Sequence, residues 1–329
     1  MAEAPLCCYQ EDDPKHCCHE PAGTSGLCYW HDPAMCKNQP GDKAALELYA
    51  KSGGQLRGLA LKRAELAGIN LAAAPGQPGY DLSFSDLYRA NLHGAHLYKA
   101  NLTEVNLMKA DLREANVHWT CMHQANLLGV KWAGARLENM QLGKQLRQEK
   151  IAHQADKIRD RALANDYFEQ SEEIYRDLRK AAEHEGLFVL SGRYIQQELR
   201  MRRFQYPRWS KPRFLSKLID VFCGYGEEPL RVVLFSLLLI FLSAICYFFL
   251  GVVSGGELLQ FNPADNFWHQ LKLFGTCLYY SVVTFTTLGY GDISQTSSPL
   301  QLLSAIEAFC GMFLTGLFLA GFASKTKQY

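Results

Sequence analysis

Residues 90–107 read ANLHGAHLYKANLTEVNL, and leucine returns at every fifth position of this stretch. The spacing extends from Leu56 to Leu71 and, after a Pro/Gly-rich loop that shifts the register by one, from Leu82 to Leu142. This makes seventeen units, many of them with alanine two residues before the leucine. A period of five fits neither a helix, with 3.6 residues per turn, nor a strand, with a period of two. It predicts a solenoid in which each unit forms one side of a coil and turns its leucine and alanine inward.

The pattern Ala-(Asp/Asn)-Leu-x-x, as in residues 90–94 and 110–114, resembles the pentapeptide-repeat family. The resemblance implies a right-handed quadrilateral β-helix over residues 55–144, with about four coils and a purely structural leucine ladder. Some members of that family mimic DNA, which requires an acidic surface. Residues 55–144 carry ten Lys and Arg against seven Asp and Glu. We therefore expect no nucleic-acid partner, and the ligand of the repeat domain stays unknown.

The composition of the whole chain hides a division. It has 48% hydrophobic and 20% charged residues, a net charge of +1 and a mean hydropathy of -0.14, values that exclude a strongly basic nucleic-acid binder and a disordered tail protein. Between residues 230 and 323, however, only six residues are charged. The sequence therefore joins a polar part to an apolar part.

Two apolar stretches are long enough to cross a membrane. Residues 232–253 carry no charge and would span about 33 Å as a helix, against a hydrocarbon core of about 30 Å. Residues 299–323 form the second candidate. Residues 271–287, between them, are too short and hydroxyl-rich to span and predict a re-entrant helix, which membranes tolerate where protein or water surrounds it. Together they predict a two-span pore domain over residues 229–324.

The segments before the pore domain are helical by pattern. Residues 145–206 have helical apolar spacing and predict a helical hairpin that links the solenoid to the pore domain. Residues 211–226 predict an amphipathic helix at the membrane surface, with basic residues beside its apolar face. Lys and Arg flank both spans but are nearly absent from the loop between them, which predicts cytoplasmic amino and carboxyl termini.

The segment that follows the re-entrant helix carries the chemistry. It reads TTLGYGD over residues 286–292. Consecutive backbone carbonyls can replace the hydration shell of a potassium ion, and they face one side only if alternate residues take left-handed torsions, which favours Gly289 and Gly291. The Thr287 hydroxyl would add the innermost ligand ring, while Leu288 and Tyr290 would point away from the axis. Asp292 would hydrogen-bond behind the segment at the outer mouth.

This segment resembles the T-V-G-Y-G-D filter of potassium channels, with Leu288 where valine is usual. The resemblance implies a bacterial two-transmembrane potassium channel, whose four filter strands require a homotetramer in the lipid bilayer. It also implies filter support from Thr286, Tyr279 and Tyr280, and a gating hinge at Gly311. Close helix packing is the alternative for Gly311. Glu307 is a charge inside an apolar helix, which could face a vestibule or pair behind the filter.

The amino-terminal residues 1–41 hold six of the 11 cysteines and predict a metal module. Cys7, Cys17, Cys28 and His31 offer the three thiolates and one imidazole of a structural zinc site. Cys8 in place of Cys7, or Cys18 in place of Cys17, fits the spacing nearly as well. Zinc would stabilise a segment that has few apolar residues of its own.

We therefore predict a potassium-selective channel in the plasma membrane, the inner membrane of a bacterium, that conducts K⁺ passively and is regulated by its amino-terminal domain. A poorly selective cation channel is the nearer alternative, and a membrane-anchored interaction protein acting through the repeats is the other. The sequence shows no catalytic constellation, so we expect no enzyme activity.

Overall fold

The computed structural model describes residues 6–9, 18, 20–295 and 297–326. The chain divides into two compact units, Met1–Arg213 and Phe214–Tyr329. Each unit has its own hydrophobic core.

The five-residue repeat builds a β-helix in the first unit. Parallel bridges join residues twenty positions apart, from Asp81↔Asn101 through Cys121↔Gln141, so four units complete one coil. Before the Pro/Gly-rich loop the bridges join residues 26 positions apart, as in Ala60↔Asp86, because the loop adds residues to that coil. In most units the leucine and the small residue two positions before it are buried, as Leu102 and Ala100 show at 0% exposure. The inward ladder predicted from the period is thus confirmed.

Each corner of the coil is a tight turn. The Ala90 amide donates to the Leu87 carbonyl over 3.0 Å, and Arg89 between them has a φ of 56°. A positive φ at the third residue of a four-residue turn is the type II pattern, which normally calls for glycine. Non-glycine residues hold this conformation at many corners, because the backbone hydrogen bonds to the neighbouring coils fix the turn on both sides.

Polar side chains form a ladder along the coils. The Asn106 amide donates to Asp86 over 2.9 Å, and the Asn126 amide donates to Asn106 over 3.2 Å. Gln148, in the helix that follows the solenoid, donates to Asn126 over 2.6 Å. The ladder therefore continues from the coils into that helix.

Helices and the amino-terminal segment flank the solenoid. Helix α1 (Asp42–Lys51) precedes the first coil and buries Leu46 and Tyr49, and the sequence pattern does not predict it. The Ala60 amide donates to the Trp30 carbonyl over 2.9 Å, and the Glu65 amide donates to the Lys37 carbonyl over 3.1 Å. The amino-terminal segment thus hydrogen-bonds to the edge of the first coil.

Three helices follow the solenoid where a hairpin was predicted. They are α2 (Arg147–Lys157), α3 (Arg161–His184) and α4 (Phe188–Gln205). The helical pattern was wrong across residues 158–160, because Arg159 takes a φ of 64° and the Asp160 side chain then caps α3 by accepting from the Leu163 amide. Buried Glu172 and Glu198 bind arginines of α3 and α4 and hold these two helices together.

The second unit contains helices and a small sheet. Helix α5 (Lys211–Cys223) precedes a short 3₁₀ turn (Gly224–Gly226), and the long helices are α6 (Pro229–Leu250) and α8 (Ser298–Thr326). Strands β1 (Val252–Ser254), β2 (Glu257–Leu259) and β3 (Ile293–Gln295) form an antiparallel sheet in the order β2-β1-β3. Helix α7 (Phe267–Phe285) lies between β2 and β3 in the chain and packs on both long helices.

The two long helices of this unit are long and apolar enough to cross a membrane. The mean hydropathy is 2.7 over Pro229–Leu250 and 1.9 over Ser298–Phe322. Most of each helix surface is exposed in the single chain. The side chain of Trp209, just before α5, is fully exposed, and Phe214 on α5 is 70% exposed.

Candidate ion pathway and metal centre

Residues 286–292 leave the end of α7 as a hydrogen-bonded continuation of that helix. The Thr287 amide donates to the Thr284 carbonyl and the Leu288 amide to the Val283 carbonyl, each over 3.0 Å. The Thr286 hydroxyl donates to the Val282 carbonyl over 2.7 Å. The last turn of α7 therefore sets the position at which the glycine-rich segment begins.

The backbone of this segment alternates in handedness. Thr287, Gly289 and Gly291 have φ values of 58°, 55° and 80°. The sequence predicts left-handed torsions at the two glycines but not the one at Thr287. A β-branched residue with positive φ is strained, so its surroundings must impose the conformation. The Thr287 hydroxyl donates to the Thr286 carbonyl over 2.7 Å.

Two adjacent tyrosines of α7 have separate partners. Tyr279 shares a hydrogen bond with the Asp292 carboxylate. Tyr280 is buried, accepts from the Gln295 amide over 2.6 Å and lies 3.2 Å from the Ser304 hydroxyl of α8. The first tyrosine thus ties α7 to the end of the 286–292 segment, and the second ties α7 to β3 and α8.

The 286–292 segment borders open space in the single chain. Leu288, a large apolar residue, is 59% exposed, and Tyr290, a large aromatic residue, is 67% exposed. A cavity of about 520 Å³ lies beside the segment and is lined by residues of α7, β3 and α8, among them Thr284, Gln301 and Ser304. An exposed surface of this kind marks a site of contact with protein, membrane or ligand.

Glu307 lies among hydroxyl groups of two other helices. Its carboxyl group is 1% exposed, accepts from the Tyr247 hydroxyl of α6 over 2.6 Å and also accepts from the Ser281 hydroxyl of α7. Ser243 of α6 is a further hydrogen-bond partner. The sequence allowed two positions for Glu307, facing a vestibule or paired behind the 286–292 segment. In the single chain, the side chain is enclosed by the chain's own helices.

Gly311 lies one helical turn beyond Glu307 and packs against α7. A Cβ atom at this position would come within 2.1 Å of the Phe285 carbonyl oxygen. This contact supports the close-packing interpretation, and a hinge at Gly311 stays a prediction.

The amino-terminal segment brings four metal-binding side chains together. The ligand atoms of Cys7, Cys18, Cys28 and His31 all lie within 4.8 Å of one another, and all four residues are buried. Cys17 lies outside the described residues, and Cys18, its alternative, is in the cluster. Cys8 is exposed, whereas Cys7 is buried.

The donor set fits a tetrahedral zinc ion. The sulfur atoms of Cys18 and Cys28 are 3.7 Å apart, and two thiolates on one zinc ion lie about 3.8 Å apart. His31 turns Nδ1 to the Cys28 sulfur at 3.1 Å, and its Nε2 lies 2.9 Å from the Arg57 carbonyl oxygen. That carbonyl would hold the proton on Nε2 and leave Nδ1 free to bind a metal.

Burial governs the protonation of this cluster. Burial raises the pKa of Cys28 to about 12 and raises the pKa of Cys18. Burial also acts to raise the pKa of Cys7, but hydrogen bonds led by those from the backbone at Tyr9 and Cys28 outweigh it and lower that pKa. Burial lowers the pKa of His31, which keeps its imidazole neutral. Three buried thiols become thiolates together only beside a positive ion.

Comparison with known families identifies the two parts of the chain. Residues 224–328 match the ion channel family model, and residues 90–129 match the model of pentapeptide repeats, in eight copies. The chain therefore combines an ion-channel pore region with pentapeptide repeats. Together with the two apolar helices, the first match indicates a membrane protein, and ion channels are a non-enzymatic kind of protein.

The curated relatives are plant potassium channels. The chain is 28% identical over 102 residues to two-pore potassium channel 1 of Arabidopsis thaliana, covering 31% of this chain and 25% of that protein. It is 31% identical over 109 residues to two pore potassium channel b of Oryza sativa subsp. japonica, covering 33% and 27%. The chain spans about a quarter of the length of these relatives.

Solved structures with similarity are pentapeptide repeat proteins. One from Nostoc PCC 7120 is 27% identical, with 30% of this chain and 94% of that chain covered and a TM-score of 0.20. The Nostoc protein HetL, involved in the regulation of heterocyst differentiation, is 29% identical, with 25% and 46% covered and a TM-score of 0.14.

Proposed function

We propose that the chain is the subunit of a homotetrameric, potassium-selective channel whose filter is formed by residues 287–292. The observation that carries this proposal is the alternation of positive φ at Thr287, Gly289 and Gly291 between the end of α7 and β3. Alternating handedness turns successive carbonyls to one side, where they can replace the hydration shell of K⁺. The ion then moves passively down its electrochemical gradient.

Four copies are proposed because one chain supplies one filter strand. The exposure of Leu288 and Tyr290 supports this, since both side chains lack cover within one chain. Leu288 replaces the usual valine, so its extra methylene must fit beside the neighbouring subunit. The family match and the plant potassium channels agree with this function but stop short of the ion selectivity.

The remaining parts take proposed roles around this pore. Residues 229–324 form the pore domain in the plasma membrane, with α5 at the membrane surface and both termini cytoplasmic. Residues 1–41 form a zinc module held by Cys7, Cys18, Cys28 and His31, in which zinc replaces the thiol protons and fixes the fold of the segment. The solenoid over residues 55–144 and the helices after it regulate the pore through a partner that stays unknown.

A matched pair of glycine variants tests the filter. Gly289 and Gly255 have positive φ, 55° and 60°, and a Cβ atom at either site meets nothing within 4 Å in the chain. Alanine therefore costs about 1 kcal/mol of backbone strain at each position. We expect purified protein in liposomes to pass K⁺ and exclude Na⁺. Gly289→Ala should abolish that selectivity, while Gly255→Ala, in the β1–β2 turn, should retain it.

Three results would contradict the proposal. Unchanged K⁺-over-Na⁺ permeability in Gly289→Ala would refute the filter assignment. Equal K⁺ and Na⁺ flux through the wild-type protein would favour the poorly selective cation channel. Absence of flux from a correctly folded tetramer would favour an interaction protein acting through the repeats.

A further inference from the structure

Three contacts join α8 to α7 at successive levels of the two helices. Ser304 meets Tyr280, Glu307 meets Ser281, and Gly311 meets Phe285. The numbers rise together along both helices, so the last two contacts are one helical turn apart on each helix. The contacts therefore run along α7 toward the turn at which the filter segment begins.

The middle contact includes α6 as well. The Glu307 carboxyl group accepts one hydroxyl from α7 and one from α6, through Ser281 and Tyr247. Ser281 also lies 2.8 Å from the Ile240 carbonyl oxygen of α6. A buried carboxyl group that loses its donors has no water to replace them, so the three helices have one favourable arrangement at this level.

The contact between Gly311 and Phe285 depends on the absence of a side chain at residue 311. At 2.1 Å from the Phe285 carbonyl oxygen, a Cβ atom on residue 311 would force α7 and α8 apart by about 1 Å. Phe285 is the last residue of α7, and the carbonyls of Val283 and Thr284 just before it hold the amides of the filter segment. A shift of this turn is therefore a shift of the filter base.

We propose that Glu307 and Gly311 act as a clamp that fixes the last turn of α7 and so positions the filter; this rests on the proposed channel function. Glu307 is a positioning residue in this scheme, since it acts on the filter through Ser281 and the helix rather than on the ion.

Carboxyl-group variants test the clamp in the full-length tetramer. Glu307→Ala removes both hydrogen bonds, Glu307→Gln keeps an acceptor and the side-chain volume, and Tyr247→Phe removes one hydroxyl only. Glu257→Gln, on exposed β2, is the matched control for loss of a carboxylate. We expect hydrogen exchange at the amides of residues 286–288 to accelerate at least tenfold in Glu307→Ala, less in Tyr247→Phe, and to recover largely in Glu307→Gln.

A second pair of variants tests the close approach. Gly311→Ala should accelerate exchange at the same amides and lower the K⁺-to-Na⁺ permeability ratio at least tenfold. Gly316→Ala is its control on the same helix, because a Cβ atom there meets nothing within 4 Å in the chain. The ratio should fall likewise in Glu307→Ala and recover in Glu307→Gln, a rescue that general loosening of the fold would not produce.

The two readouts separate the clamp from the channel function. Unchanged exchange at residues 286–288 in both Glu307→Ala and Gly311→Ala overturns the clamp, whether or not the protein conducts. Faster exchange with an unchanged permeability ratio overturns its role in positioning the filter. A wild-type protein without K⁺ selectivity refutes the proposed function, and the clamp is then decided by exchange alone.

Discussion

Removal of zinc should detach the amino-terminal segment from the first coil of the solenoid. Three contacts join them near the metal cluster. His31 bonds the Arg57 carbonyl through Nε2, Trp30 accepts from the Ala60 amide over 2.9 Å, and the Tyr9 ring lies against Gly58. Tyr9 also stacks on His31 with ring centroids 4.1 Å apart, so the metal ligand and the contact residues form one packed group.

The magnitude follows from these contacts. Two hydrogen bonds contribute about 1 kcal/mol each. Burial of the Tyr9 ring against Gly58 adds about 1.5 kcal/mol, so the contact is worth about 3.5 kcal/mol. For a unit of about 200 residues, 1 kcal/mol corresponds to about 2–4 °C in Tm. Loss of zinc should therefore lower the Tm of the first unit by about 7–14 °C.

The assay is elemental analysis together with circular dichroism on the full-length protein in detergent. We expect one zinc ion per chain, a fall in Tm on chelation and recovery on adding zinc back. Cys7→Ser and Cys28→Ser should lose zinc and show the same fall, whereas Cys8→Ser and Cys36→Ser, at exposed cysteines outside the cluster, should keep both. Protein that purifies without zinc, or a Cys28→Ser variant with unchanged zinc content and Tm, would refute the metal site.

Two further predictions concern the solenoid and the helices after it. A Cβ atom on Gly79 would lie 1.8 Å from the Lys99 carbonyl oxygen, so Gly79→Ala should lower the free energy of unfolding in urea by about 2–4 kcal/mol. Gly41→Ala is the control, because nothing lies within 4 Å of a Cβ atom there, and it should cost less than about 1 kcal/mol. Equal costs for the two variants would contradict the contact. Burial acts to raise the pKa of Glu172, but hydrogen bonds from Gln205 and Arg202 outweigh burial, so the pKa lies below the usual 4.5. The ionised carboxylate therefore stabilises the fold fully above pH 4.5, and this stability is lost as the pH falls through the lowered pKa. Glu172→Gln should therefore flatten the fall in Tm between pH 6 and pH 3, and an unchanged slope would argue against this ion pair.

The periodic parts of the chain were predictable because their contacts repeat with the period of the sequence. Every unit between Leu82 and Leu142 makes the same bond to the coil twenty residues away, so one unit defines the rest. The break at Arg159 was missed because its positive φ belongs to the C-terminal cap of α2, where the Asp160 amide donates to the Ala155 carbonyl, and no glycine marks it. The spacing of the cysteines could not distinguish Cys17 from Cys18 as a metal ligand, because the side chains of adjacent residues point in different directions and only the fold determines which one faces the site.

The partners of Glu307 were beyond sequence reasoning for another reason. Tyr247 lies 60 positions away on a different helix, and no local pattern connects the two residues. The sequence marked Glu307 as unusual because a carboxyl group in an apolar helix needs a partner, but only the packing of α6, α7 and α8 identifies it.

Residues that violate local preferences occur in both units, but they differ in kind. In the solenoid, non-glycine residues with positive φ recur at corner after corner, so the architecture itself requires them. In the second unit Thr287 holds a φ of 58°, Glu307 is buried among hydroxyls, and Gly311 allows a backbone approach that no other residue permits. These three do not repeat, and α7 connects them within one set of contacts. Isolated backbone strain that is concentrated at one segment is expected at functional sites. The base of the 286–292 segment is therefore the first place to test function, ahead of the more numerous strained corners of the solenoid.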